Sequence, residues 1–180
     1  PKTIKEITFG HTWSDTTGFR FTNGGLIRLK NLNFNTVDGF VYRIDFRVTK
    51  SWKNAHGFSF YPSFGWAFSR RSFMWNINAQ YKFDQLKQRQ LYLRSHIRST
   101  DFNNNGGINP FVNTITSLML KKNYLKLYDS RYLSLGYKSE LTNGLYIDIS
   151  AGYEDRRVLD NTTDFTFIRS AGDYTVNVPG

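Results

Sequence analysis

Hydrophobic and polar residues alternate along this chain in segments of similar length. From Phe40 to Val48 every even position is apolar: Phe40, Tyr42, Ile44, Phe46 and Val48. Between and after them stand Val41, Arg43, Asp45, Arg47 and Thr49. From Phe73 to Phe83 the odd positions are apolar (Phe73, Trp75, Ile77, Ala79, Tyr81, Phe83), set against Met74, Asn76, Asn78, Gln80 and Lys82. A strand sends successive side chains to opposite faces, so each segment has one greasy face and one wet face. Segments of about 9–11 residues match a tilted strand crossing a bilayer.

The same rhythm predicts the other elements. Thr3–Trp13 carries Ile4, Ile7, Phe9 and Trp13 and is expected as a first strand. Phe19–Lys30 follows, interrupted at Asn23-Gly24-Gly25 by a turn or bulge. Phe40–Lys50 is the clean strand. Phe58, Phe60, Phe64, Trp66 and Phe68 keep even phase, and Pro62 on that face demands a break in the ladder. Ser69-Arg70-Arg71-Ser72 turns the chain into Phe73–Phe83, and Leu91–Asp101 alternates again. Asn103-Asn104-Asn105-Gly106-Gly107 is a loop. Then the period lengthens. Asn109 suits an N-cap, Pro110 the first helical position, and Phe111, Ile115, Leu118 and Met119 fall three or four apart, which predicts a helix from Pro110 to about Leu125. Leu133, Leu135, Tyr137 and Leu141 resume the strand pattern. Asn143-Gly144 makes a hairpin turn into Leu145, Ile147, Ile149, Ala151 and Tyr153. Weaker strands are expected over Thr163–Ile168 and in the tail Asp173–Gly180, where Tyr174, Val176 and Val178 are in phase. The count is eight strands with two more in reserve, and one helix.

The fold class that follows is all-β: an antiparallel transmembrane β-barrel, a segment of a larger one, with one amphipathic helix. Residues 1–180 form one domain or a fragment of one. A soluble lipocalin-like barrel would reverse the faces, apolar inward. Bulky rings along the whole apolar face favour lipid, because a small closed interior has no room for them. Aromatics near strand ends (Trp13, Phe40, Phe68, Phe73, Phe83, Tyr153) suit the girdles of a membrane barrel. Mean hydropathy of −0.49 is compatible with this, since half of each strand faces water. No run approaches 18 apolar residues, which excludes helical spans. Pro1-Lys2-Thr3 lacks a signal sequence, so a mature product or an internal piece is expected.

On this reading Arg43, Asp45, Arg47, Lys82, Arg94, His96, Arg98, Asp148 and Glu154 line a lumen, together with Lys138, Glu140 and Arg156. Opposite charges are expected to pair there, with an anion-selective path through Arg43, Arg47, Arg94 and Arg98 as the alternative. Net charge is +10, from 24 basic and 14 acidic residues. It suits a solvated basic surface or anionic headgroups of bilayer and lipopolysaccharide. The bases do not cluster and no nucleic-acid motif is present. With no cysteine and three separated histidines (His11, His56, His96), neither a thiolate nor a spaced histidine metal site exists, and no cofactor is expected. A serine hydrolase would need Ser134 or Ser150 to approach His96, which nothing in the pattern requires. Asn23-Gly24-Gly25 and Asn105-Gly106-Gly107 lack the Walker lysine of a phosphate loop.

Five short segments add a resemblance. Asn35-Thr36-Val37-Asp38-Gly39 precedes the cleanest strand. Asn109-Pro110-Phe111-Val112-Asn113-Thr114, Leu118-Met119-Leu120-Lys121-Lys122-Asn123-Tyr124, Tyr153-Glu154-Asp155-Arg156 and Asn161-Thr162-Thr163-Asp164 follow in order. From about Asn35 to Gly180 the chain resembles a family of Bacteroidota outer-membrane proteins in which a carboxypeptidase-regulatory-like domain precedes a β-barrel. The family usually carries Glu where this chain has Asp38. The regulatory-like domain is absent here, and Asn177-Val178-Pro179-Gly180 is not an aromatic-ended strand. The resemblance implies a barrel fold and a place in the bacterial outer membrane, and supplies no reaction or substrate; the function expected is that of a non-enzymatic channel, scaffold or subunit of an envelope complex. The partners expected are the lipid bilayer, lipopolysaccharide and other outer-membrane or periplasmic proteins. A soluble ligand-binding barrel and an outer-membrane hydrolase are the alternatives.

Overall fold

A computed structural model describes residues 2–53, 55–84, 87–103, 107–168 and 172–178. A short helix, α1 (Lys2–Phe9), precedes the strands β1 (His11–Ser14), β2 (Phe19–Asn23) and β3 (Leu32–Asn35). The long strands follow: β4 (Gly39–Ser51), β5 (Gly57–Ala67), β6 (Ser72–Asp84) and β7 (Arg89–Asp101). A second helix, α2 (Pro110–Leu120), leads into β8 (Leu127–Thr142) and β9 (Leu145–Val158). All neighbours are antiparallel, in the order β1-β2-β4-β5-β6-β7-β8-β9, and β3 pairs with β4 beside β2. The class is all-β. The sheet is not closed: β1 and β9 stand at its two ends.

Alternation dictates the sheet. Opposed residues such as Ile44 and Phe64, Phe64 and Trp75, and Trp75 and Ile97 keep all apolar side chains on one face across four strands. Pro62 does not end β5. Its ladder to β6 is continuous, whereas the pairing with β4 lapses between Asp45 and Val48 and resumes in the same register. Proline lacks the N–H that this side of the ladder would use. At the β5–β6 turn Arg71 takes a positive φ of 53°, and at the two-residue β8–β9 turn Gly144 takes 81°.

Four expectations need correction. Thr3–Trp13 is not one strand, because Ile4 and Ile7 lie three apart and serve a helix that ends at Gly10, where φ is 95°. Phe19–Lys30 stops at Asn23, and Leu29–Asn31 forms a single 3₁₀ turn. The second helix ends at Leu120 rather than near Leu125, because Lys121 adopts the left-handed conformation. Thr163–Ile168 and the described part of the tail are irregular. The loop expected at Asn103–Gly107 lies partly outside the described residues.

Helix α2, β3 and the tail form a cap at the end of the sheet where β4 and β8 begin. Asn109 caps α2 as expected, its Oδ1 accepting from Phe111 N at 2.8 Å. The helix packs on β3, where Phe34 N donates to Thr114 Oγ1 at 2.9 Å. Val37, Leu125 and Leu127 make one small apolar core beneath it, and Val41, Ala67 and Met74 make a second on the polar face of the sheet.

Candidate functional site: the polar face and its cap

The two faces of the sheet are treated differently. Along β6, β8 and β9 the apolar face is exposed, with Phe73, Leu135 and Tyr153 at 54%, 58% and 72%, and near the cap Phe165 packs on it against Phe34 and Phe40. The polar face is roofed at one end by the loop carrying Lys30 and Asn31 and by the cap, which enclose cavities against it. All nine charged residues singled out above (Arg43, Asp45, Arg47, Lys82, Arg94, His96, Arg98, Asp148, Glu154) fall on this polar face by register.

They are arranged in cross-strand rows. One row runs Asp45, Ser63, Asn76, His96, Tyr132, Glu154, each opposed to the next. The row nearer the cap holds Arg43 opposite Gly65, Gly65 opposite Met74, and Arg98 opposite Ser130. Pairing of opposite charges is sparse. Among the described residues Arg43, Arg47, Arg94 and Arg98 join no salt bridge, although Arg47 lies over the Tyr61 ring at 5.2 Å and Arg94 over the Tyr92 ring at 4.9 Å. Such cation–π contacts are worth about 0.5–1 kcal/mol at exposed sites. The acids turn to other partners: Asp148 accepts from Tyr92 Oη at 2.7 Å, and Glu154 holds Arg156 at 2.6 Å. The reason is local. The position opposite Arg43 is Gly65, which has no side chain to offer.

His96 does meet a serine, but neither Ser134 nor Ser150. Its Nε2 lies 2.9 Å from Ser130 Oγ, and that hydroxyl donates to Glu154 Oε1 at 2.6 Å. Nucleophilic catalysis needs the acid on the far nitrogen of the histidine, so that the ring can take the serine proton. Here the acid holds the serine proton directly, and Ser130 is fully buried. Among the described residues no three His, Asp or Glu side chains converge on a metal-sized site. No helix among them is long and apolar enough to cross a membrane.

The cap is built from buried polar side chains. Asn35 Oδ1 accepts from the amides of Val37 and Asp38 at 2.9 and 2.7 Å, closing the turn before β4. Gly39 follows at φ 70°, where a Cβ would sit 2.0 Å from Ser69 Oγ. Asn113, wholly buried on α2, accepts from Tyr124 N at 2.8 Å and donates to Asn123 Oδ1 at 2.8 Å. Asn123 donates to Thr36 Oγ1, which donates to Asn161 Oδ1, at 2.8 and 2.7 Å. Asn177 from the tail accepts from Leu127 N at 2.7 Å. Arg70, from the β5–β6 turn, lies between Asp38 and Asp129. Its Nε is 2.8 Å from Asp38 Oδ1 as a charge contact rather than an aligned hydrogen bond, while Nη1 donates to Asp129 Oδ1 at 3.0 Å. Ser99 completes the group, accepting from Arg70 and donating to Asp38. Sequence reasoning did not assign these residues roles, yet four of the five quoted motifs contribute to this one knot.

The arrangement defines a class: an open antiparallel sheet with a largely exposed apolar face, a charged opposite face and a polar cap at one end. Over residues 5–180 the chain matches the C-terminal domain of a family of unknown function (DUF5686), and it belongs to that family. No curated protein and no solved structure matches it.

Proposed function

We propose that this chain is part of a transmembrane β-barrel in a bacterial outer membrane. It acts without catalysis, as a channel, a scaffold or a subunit of an envelope complex. The observation that carries this reading is the orientation of the faces. The side with long rows of exposed rings and aliphatic chains is largely bare, while the opposite side carries the arginines and the cavities. That suits lipid outside and water inside. Strands β4–β9 run 11–16 residues, long enough to cross a hydrocarbon core at the usual tilt. Open edges at β1 and β9 would be costly in lipid, so the barrel closes with further strands. The finer attribution to Bacteroidota proteins with a carboxypeptidase-regulatory-like domain ahead of the barrel rests on the motif order given above. The net charge of +10 suits contact with lipopolysaccharide phosphates.

The test is electrophoretic mobility of the full-length protein from purified outer membranes, with and without boiling. A faster unboiled band in the membrane fraction is expected. A single unshifted band, with the protein in the soluble fraction, would reject the reading.

A further inference from the structure

Of all the charged groups on the polar face, the pair nearest the cap stands out. Arg43 and Arg98 flank Gly65 and Met74 on one row, so both guanidiniums reach into space that no bulky neighbour fills. Arg43 lies directly over the glycine: a Cβ on Gly65 would be 3.7 Å from Arg43 Nε. Both arginines line a cavity of about 250 Å³, far above the ~10–15 Å³ that one water needs. Lys30 from the roofing loop lines it as well, and Asn31, Asn76 and Ser63 supply neutral polar groups. Three cations therefore face a single carboxylate, Asp45, which joins no salt bridge among the described residues.

The donors are also unused. Arg98 Nε is buried and has no hydrogen-bond partner among the described residues. Thr100 Oγ1 is likewise buried without a partner among the described residues, and Thr100 lines a neighbouring cavity that shares Arg43, Met74 and Arg98. A buried polar atom without a partner is costly, so two beside one pair of cavities mark this end of the face as short of hydrogen-bond acceptors. The carboxylates that could serve are engaged: Glu154 by Arg156 and Ser130, Asp38 by Arg70 and Ser99, while Asp101 accepts from Asn103 N.

We propose that Arg43 and Arg98, with Lys30, form a binding site for a phosphate group. Two planar guanidinium forks and an ammonium match its tetrahedral oxygens, and a charge near −2 balances the excess of two cations. Gly65 is the floor of the site. The proposal rests on the polar face being water-filled, though not on what passes along it.

The experiment is calorimetric titration of inorganic phosphate into the delipidated full-length protein at low ionic strength. Saturable binding is expected. Arg98→Gln and Arg43→Gln should each weaken it at least tenfold, whereas Arg94→Gln, on the same face but outside both cavities, should change it less than twofold. Heat-modifiable mobility equal to wild type would establish that the variants fold. Lipid phosphorus that co-purifies with the undelipidated wild type and is lost in Arg98→Gln would make a headgroup the source. Binding of inorganic phosphate without retained lipid would make it a solute site. Neither saturable binding nor retained lipid, or an Arg98→Gln affinity equal to wild type, would overturn the proposal. A water-soluble protein that still bound phosphate would reject the membrane reading and leave the site standing.

Discussion

Tyr174 anchors the tail to the cap through one hydroxyl. It is buried, and its Oη donates into a space between the carbonyls of Ser117 and Phe165, at 2.6 and 3.0 Å. Burial pushes its pKa above the ordinary phenol value, because a phenolate there would lose its water. The docked tail holds the proton more tightly than the undocked one. Its contribution is therefore complete below about pH 10 and falls away as pH rises through the raised pKa. Proteolysis of the tail in the detergent-folded protein should accelerate as pH rises from about 10 to 11. Tyr174→Phe should make that rate nearly independent of pH over the same range while costing about 1–2 kcal/mol of cap stability. A wild-type rate flat to pH 11 would remove the phenol from this role.

Elements are joined through the cap by charge as well as by hydrogen bonds. Arg70 reaches from the β5–β6 turn to Asp38 before β4 and Asp129 on β8, so one side chain ties three parts of the sheet together. Removing one member leaves the others buried and uncompensated, which costs about 3–5 kcal/mol in such sites. Asp38→Ala should lower the urea midpoint accordingly. Asp45→Ala, whose carboxylate joins no salt bridge among the described residues, should leave it nearly unchanged, and equal midpoints for the two variants would contradict the assignment. Element by element, the sequence was informative where period two holds. β4, β6 and β7 lie within two residues of their expected bounds, and the nine charges share the face the alternation assigns them. It was less so where long-range partners decide. The Thr36–Asn161 bond spans 125 residues, and no local pattern reports it. Nor does alternation show that Arg43 faces a glycine, so it predicts pairing where Arg43, Arg47, Arg94 and Arg98 join no salt bridge among the described residues. In α1, Ile4 and Ile7 carry a helical spacing too short to stand out from a strand reading.

For the whole molecule, the proposed function requires that the apolar face meet lipid and the polar face meet water. The chain has no cysteine, so single cysteines can be placed along β8 without background from it. Spin labels at Tyr132, Leu133, Ser134, Leu135 and Tyr137, leaving out Gly136 where a Cβ would lie 2.1 Å from the Tyr92 ring, report contact with lipid-soluble oxygen and with a water-soluble nickel chelate in the full-length protein reconstituted into bilayers. The account predicts a period of two. Leu133, Leu135 and Tyr137 should favour oxygen, and Tyr132 and Ser134 should favour the chelate wherever the polar face admits it. The opposite phase, or chelate access at every position, would contradict it.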